Sequence, residues 1–272
     1  MSSSVVKPVQ RRRVFYIPGY DPIHPRRYRE LYRKEGAAQA AISGYDLALS
    51  AKAAGGQGRY GWHVDAVIDS GTIQTDFEVL VWSDIVRDSM DQGIVSTYVQ
   101  LVRTAWAYIV SGALLRLMRL RKGPVIAALY PVGMLLIQLL VALLLGHGVG
   151  TALTWSARYL PLGQEGTALA ARLMVKGLFY WGGLFGTAWA LLIWFKSKDN
   201  KLFAYYLMHD YAYSARYKGA NPPELEARIA QFTDEIAAAL RDNVDEVLVV
   251  GHSSGAHLAV SILSDLIRQG HV

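Results

Sequence analysis

Between Gly123 and Ala157 the chain carries no charged side chain, and within that stretch Val125–Leu145, VIAALYPVGMLLIQLLVALLL, is almost wholly apolar. A helix rises about 1.5 Å per residue, so these 21 positions reach about 31 Å, the thickness of a bilayer's hydrocarbon core. Such a segment must either cross a membrane or be buried inside a large soluble core. A second uncharged run, Gly177–Phe195, reaches about 28 Å by the same rise and is fenced by Lys176 on one side and by Lys196 and Lys198 on the other. Its Tyr180, Trp181 and Trp194 stand toward the two ends, where aromatic rings favour the membrane–water interface. Transmembrane helices at about 125–145 and 177–195 are therefore expected, with a buried soluble helix as the alternative for each. The 52% hydrophobic and 18% charged composition leans toward the membrane reading.

Within the first span Pro131 and Gly133 are tolerated where neighbouring groups satisfy the freed backbone. Gly182 and Gly186 form a small-xxx-small pattern expected to let the two helices approach, and Gln138 is expected to hydrogen-bond between them. Lys and Arg flanking the spans set orientation. Arg116, Arg119, Arg121 and Lys122 precede the first, Lys196, Lys198 and Lys201 follow the second, and the connection holds only Arg158, Arg172 and Lys176 with Glu165. Both long flanks are expected in the cytoplasm, with a loop of roughly thirty residues outside. The net charge of +6 is then largely accounted for by membrane flanks, and no aromatic–basic signature speaks for nucleic acid. With no cysteine, neither disulfides nor a thiolate zinc site can form. The N-terminus shows no apolar run of signal-peptide length before Pro18-Gly19. Ahead of the hairpin, Tyr98–Gly123 reads as one helix with a basic end, lying either in the headgroup plane with Arg116, Arg119 and Lys122 on anionic lipid, or as a soluble cap helix.

The flanks alternate strand and helix. Val14–Ile17 is a short β-rich run ended by Pro18-Gly19, Arg26–Ala41 a helix with one interrupting glycine, and Tyr45–Ser50, Gly61–Asp69 and Thr72–Asp84 strands between turns. Pro222 and Pro223 open a helix whose Leu225, Ile229, Phe232, Ile236 and Leu240 recur at helical spacing. Then come a strand, Glu246–Gly251, and a helix ending at Gly270. Alternation of this kind predicts an α/β fold with a mostly parallel sheet. The expected organisation is a first α/β part at 1–94, a membrane insertion at 95–205 and a continuation of the α/β domain at 206–272.

That last strand–helix pair carries Gly251-His252-Ser253-Ser254-Gly255, a G-x-S-x-G pattern. A nucleophile elbow needs a buried strand, a sharp turn flanked by small residues and a following helix whose N-terminus favours developing negative charge. All three are present. Here the chain resembles the α/β-hydrolase superfamily, whose esterases and lipases often carry a GHSxG elbow. VFYIPGYDP looks like that family's first strand and oxyanion loop, FEVLVWSD like the next strand, and the hairpin like an insertion, away from the family's usual cap position. The resemblance implies that Ser253 attacks an acyl carbonyl, and that the oxyanion is held by the Ser254 backbone N–H and one from the Gly19-Tyr20 turn. No metal or cofactor is expected.

A serine needs a base, usually a histidine oriented by a carboxylate. In the family both follow the serine in the chain, yet only His257, Asp265 and His271 remain after Ser253. His257 and Asp265 lie on the helix behind the elbow. Either the chain is the N-terminal part of a longer hydrolase, the favoured expectation, or the base comes from elsewhere, with His63 and the His209–Asp210 pair as candidates. His252 is expected to pack beneath the turn. The leading expectation is thus a membrane-anchored, lipase-like serine hydrolase whose partners are the bilayer and an ester or lipid-like substrate. The alternative is a non-catalytic hydrolase-like module that binds a partner at the membrane. Transport is disfavoured because the spans hold no ionisable residue except His147 at one edge.

Overall fold

A computed structural model describes residues 8–52, 60–69, 71–90, 93–159, 167–217 and 219–272. The elements in chain order are β1 (Arg11–Ile17), α1 (Arg26–Ser43), β2 (Asp46–Ala51), β3 (Gly61–Ile68), β4 (Gly71–Val79), α2 (Ser83–Met90), α3 (Ile94–Val110), α4 (Ala113–Met118), α5 (Lys122–Ser156), α6 (Thr167–Ser197), α7 (Asp199–Leu202), α8 (Ala204–Ala215), α9 (Pro223–Leu240), β5 (Glu246–Gly251) and α10 (Ser254–Arg268). They form two compact units, one of residues 1–89 and 221–272, the other of residues 90–220.

The first unit is an α/β structure on a five-stranded sheet ordered β2-β3-β4-β1-β5. The sheet is mixed, against the expectation of a mostly parallel one. β1 pairs in parallel with β4 and β5, whereas β2-β3 and β3-β4 are antiparallel. The reason is connection length. Ile68 of β3 is paired with Gly71 of β4, and two residues cannot carry the crossover of a dozen or more that parallel strands require. The strand expected at Thr72–Asp84 ends at Val79, and Ser83 opens α2, where Asp84 suits the first turn and pairs with Arg228 of α9 at 2.7 Å. Trp62 and Phe77 face each other across β3 and β4 with rings stacked 4.4 Å apart, and Tyr16, Tyr28 and Tyr32 complete that cluster. On α9, Leu225, Ile229, Phe232 and Ile236 are buried as the spacing predicts, while Leu240 is exposed at the helix's last turn.

The second unit is helical. Its two long helices, α5 of 35 residues and α6 of 31, are long and apolar enough to cross a membrane. Both outrun the windows read from composition, so most of the supposed thirty-residue loop is helix. Only residues 160–166, with Glu165, lie outside the described residues of the connection. The reason is that TALAARLMVK consists largely of good helix formers, and a charge ends an apolar window without ending a helix. Tyr98–Gly123 is likewise two helices rather than one, broken at Gly112, whose φ of 70° leaves the right-handed region.

The buried residues of α5 are Pro131, Leu135, Gln138, Ala142, Gly146 and Gly150, and the last two lie directly against α6. A Cβ on Gly146 would stand 2.5 Å from the Leu184 carbonyl oxygen, and one on Gly150 would stand 2.6 Å from that of Tyr180. On α6 it is Gly183 that meets Gly150, with a would-be Cβ 2.9 Å from the Gly150 Cα, whereas Gly182 and Gly186 face open space. The small-xxx-small face is therefore Gly146/Gly150 received by Gly183, not Gly182/Gly186. Glycine identity reads the same on every side of a helix, and only the interhelical register selects the side. Gly150→Ala is expected to cost about 1–3 kcal/mol, as overpacking against fixed backbone does, and Gly186→Ala to be neutral or slightly stabilising through helix propensity. Thermal unfolding in detergent checks this, and equal effects at both positions would reject that face.

Gln138 is buried in this row, yet its amide makes no hydrogen bond to any described residue, contrary to the expected interhelical bond. Its neighbours in the row, Leu135 and Ala142, have no side-chain polar atom. The pairing also sets a level along the hairpin. Thr154 donates to the Lys176 carbonyl at 3.4 Å, Gly150 and Gly146 press on Tyr180 and Leu184, and Tyr130 donates to the Leu202 carbonyl at 2.7 Å. Lys196 and Lys198 thus stand level with about the fourth turn of α5, near Leu135. The stretch uncharged on both helices side by side runs from about Leu135 to Leu153 opposite Gly177–Phe195, some ten residues beyond the start of the window read from the sequence.

Candidate active site

β5 ends at Gly251 and α10 begins at Ser254, so the chain must reverse within two residues. Ser253 takes the strain, with φ 55° and ψ −124°, a region that L-residues avoid. Three glycines make room for it. A Cβ on Gly251 would fall 2.6 Å from the Ala256 Cα, and one on Gly255 would fall 2.3 Å and 2.5 Å from the Ile17 and Pro18 carbonyl oxygens. One on Gly19 would lie 3.0 Å from the Ser253 Cβ and 3.5 Å from its Oγ. The turn that ends β1 is therefore laid directly against the serine.

Hydrogen bonds hold both sides of this contact. His252 N–H donates to the Ile17 carbonyl at 3.0 Å, and the Trp82 indole donates to the Pro18 carbonyl at 2.9 Å. Gly255 N–H donates to the His252 carbonyl and Ala256 N–H to that of Ser253, both at 2.9 Å, winding the first turn of α10. Tyr20, next after Gly19, is 2% exposed and packs edge-on to Trp82 with ring centroids 6.1 Å apart. Ser254 is half-buried as the first residue of α10. Ser253 itself is exposed. A strained, exposed serine at the N-terminus of a helix, with a tight backbone turn beside it, is suited to attacking a carbonyl while nearby amides receive the developing charge. Trp82 has no signature in the sequence, because its role arises only when β4 and β1 pair.

His252 is exposed rather than packed beneath the turn, since its backbone rather than its ring bonds to Ile17. His257 and His271 are exposed, and Asp265 pairs with Arg268 at 2.8 Å. His63 bonds Asp76 at 2.9 Å and Asp65 at 3.3 Å, and the Asp76 bond chiefly holds its pKa above the usual histidine value. It pairs with Asp76, which is level with Arg13, while Gly251 is level with Ile17. Four residues of strand, about 13 Å, thus separate His63 from the elbow's end of the sheet, so it is not the base. His209 belongs to the second unit, where its Nδ1 bonds the Gln100 amide oxygen at 2.8 Å and burial, then Lys196, push its pKa down. His24, overlooked in the sequence, lies on the loop after Tyr20 at the elbow's end of β1. Its Nδ1 accepts the Arg26 N–H at 3.2 Å, which places the neutral ring's proton on Nε2. Among the described residues the Ser253 hydroxyl makes no hydrogen bond.

Neither the known protein families nor the curated proteins nor the solved structures offer a match to this chain.

Proposed function

We propose that this protein is a membrane-anchored serine hydrolase that cleaves a carboxylic ester through an acyl-enzyme on Ser253, its first unit resembling an α/β-hydrolase. One observation carries the reading: a serine at φ 55° and ψ −124° between a strand and a helix, seated on Gly251 and Gly255 and faced by the Gly19 turn. A strained backbone of this kind persists only where the surroundings impose it, and presenting a nucleophile is a function that repays it. The Ser254 N–H and an amide of the Gly19-Tyr20 turn are the oxyanion donors in this reading. The α5–α6 hairpin is the anchor, crossing the bilayer where both helices are uncharged side by side, with the Lys196 and Lys198 end on the cytoplasmic side by the distribution of Lys and Arg. A lipid-like ester follows from an enzyme held at a bilayer.

One observation favours a second reading, a hydrolase-like module that binds without catalysis: no histidine reaches the Ser253 hydroxyl among the described residues. A fluorophosphonate probe separates the two, because only an activated serine reacts with it. Covalent labelling that maps to the peptide holding Ser253 is the expected result, and a folded protein that takes up no probe overturns the enzyme.

A further inference from the structure

The helix α3 has two apolar faces. Ile94, Thr97, Leu101 and Thr104 form a buried row, and Ile94 and Leu101 belong to the same buried cluster as Leu135, Leu192 and Met208 of the hairpin and α8. Val95, Val99, Val102, Trp106 and Ile109, at spacings of four and three, form a second row that is 43–68% exposed. At 100° per residue the two rows lie on opposite sides of the helix, so packing within the unit leaves the outer row uncovered. A helix apolar on both sides is not a stable water-facing surface.

Position and charge identify what covers it. The Tyr98 hydroxyl donates to the Leu135 carbonyl at 3.1 Å, which places α3 beside the turn of α5 where the uncharged stretch begins and Lys196 stands level. The chain then passes Gly112 into α4, whose Leu115 and Met118 are exposed, and on through Arg116, Arg119, Arg121 and Lys122. No Asp or Glu occurs between Asp91 and Glu165, and none of these four basic residues forms an ion pair with a described residue. An apolar row beside the edge of a hydrocarbon-thick slab, in a stretch of chain without acidic residues, matches acyl chains at that edge. A protein partner would need acidic groups around an apolar groove, and nothing in the chain marks such a contact.

We infer that α3 is a third membrane-contacting element, with Val95, Val99, Val102, Trp106 and Ile109 set into the acyl boundary of the bilayer beside α5. This rests on the reading of α5 and α6 as spans. The absence of cysteine lets single nitroxide labels be placed at Val99→Cys, Trp106→Cys, Leu144→Cys and Lys34→Cys in the full chain. Leu144 is an exposed position within the uncharged stretch of α5, and Lys34 is exposed on α1. In phosphatidylcholine vesicles containing phosphatidylserine, collisions with a water-soluble nickel chelate at Val99 and Trp106 are expected to fall well below the Lys34 value, while oxygen collisions rise above it. Water-like values at both positions overturn the inference. So does exclusion of nickel and oxygen together, which would mean that protein, from a partner or a second copy, covers the row. A water-like label at Leu144 would instead reject the spans themselves, which keeps the two failures apart.

Discussion

Ser253→Gly is expected to abolish fluorophosphonate labelling and at the same time to make the first unit more stable by about 1 kcal/mol. A non-glycine residue at φ 55° and ψ −124° stores on the order of 1–3 kcal/mol, which glycine does not. Against this, glycine loosens the unfolded chain by about 0.4–1 kcal/mol, leaving a modest net gain. Ser253→Ala is the companion. It keeps the strain and loses the hydroxyl, so labelling vanishes with little change in unfolding. A nucleophilic serine typically accounts for about 10⁴- to 10⁶-fold of a hydrolase's rate, so ester turnover, once a substrate is found, should fall to background in both variants. Urea unfolding with labelling as the second readout checks both. Ser253→Ala that still takes up the probe removes the nucleophile from the proposal, and Ser253→Gly that destabilises the protein removes the strain.

Gly255→Ala is expected to lose about 1–3 kcal/mol of stability and most of the labelling. The added methyl would meet the Ile17 and Pro18 carbonyl oxygens at 2.3 and 2.5 Å. Neither oxygen can retreat freely, because Ile17 accepts the His252 N–H and Pro18 accepts the Trp82 indole. The variant must therefore overpack, at about 1–3 kcal/mol, or sacrifice a buried hydrogen bond at about 1 kcal/mol or more. Either way α10 shifts from the Gly19 turn, and a displacement near 1 Å at a reacting group can cost about 10²-fold in rate. Gly93→Ala is the control, since a Cβ there meets nothing within 4 Å and its φ is −74°. If Gly255→Ala melts and labels like Gly93→Ala, the elbow is not seated on β1.

The legible and illegible parts of this chain divide along a physical line. β5, the elbow and α10 were readable because an apolar run, two small residues and a helical repeat sit within 25 consecutive residues, Glu246 to Gly270. The two long helices were readable as apolar segments, but their lengths were not, because helix propensity continues past the last apolar residue. The antiparallel half of the sheet was in principle legible, since the connections from Ala51 to Gly61 and from Ile68 to Gly71 are shorter than the dozen or more residues a parallel crossover needs, but strand–helix alternation elsewhere in the chain masked it. His63 looked like a candidate base only while its height in the sheet was unknown. Strand register places it level with Arg13, at the wrong end.

By itself the sequence determined the pieces: an apolar hairpin long enough for a bilayer, an α/β unit, and a serine where a strand turns into a helix. Those follow from the order of side chains over a few turns, where covalent neighbours settle the outcome. Only the tertiary structure decided which surfaces meet. It chose Gly146, Gly150 and Gly183 over Gly182 and Gly186, brought the Gly19 turn within reach of Ser253, set Trp82 on the Pro18 carbonyl, and left the outer row of α3 uncovered. Each of these depends on the register between segments far apart in the chain, a quantity fixed by packing and backbone hydrogen bonds rather than by any local run of residues.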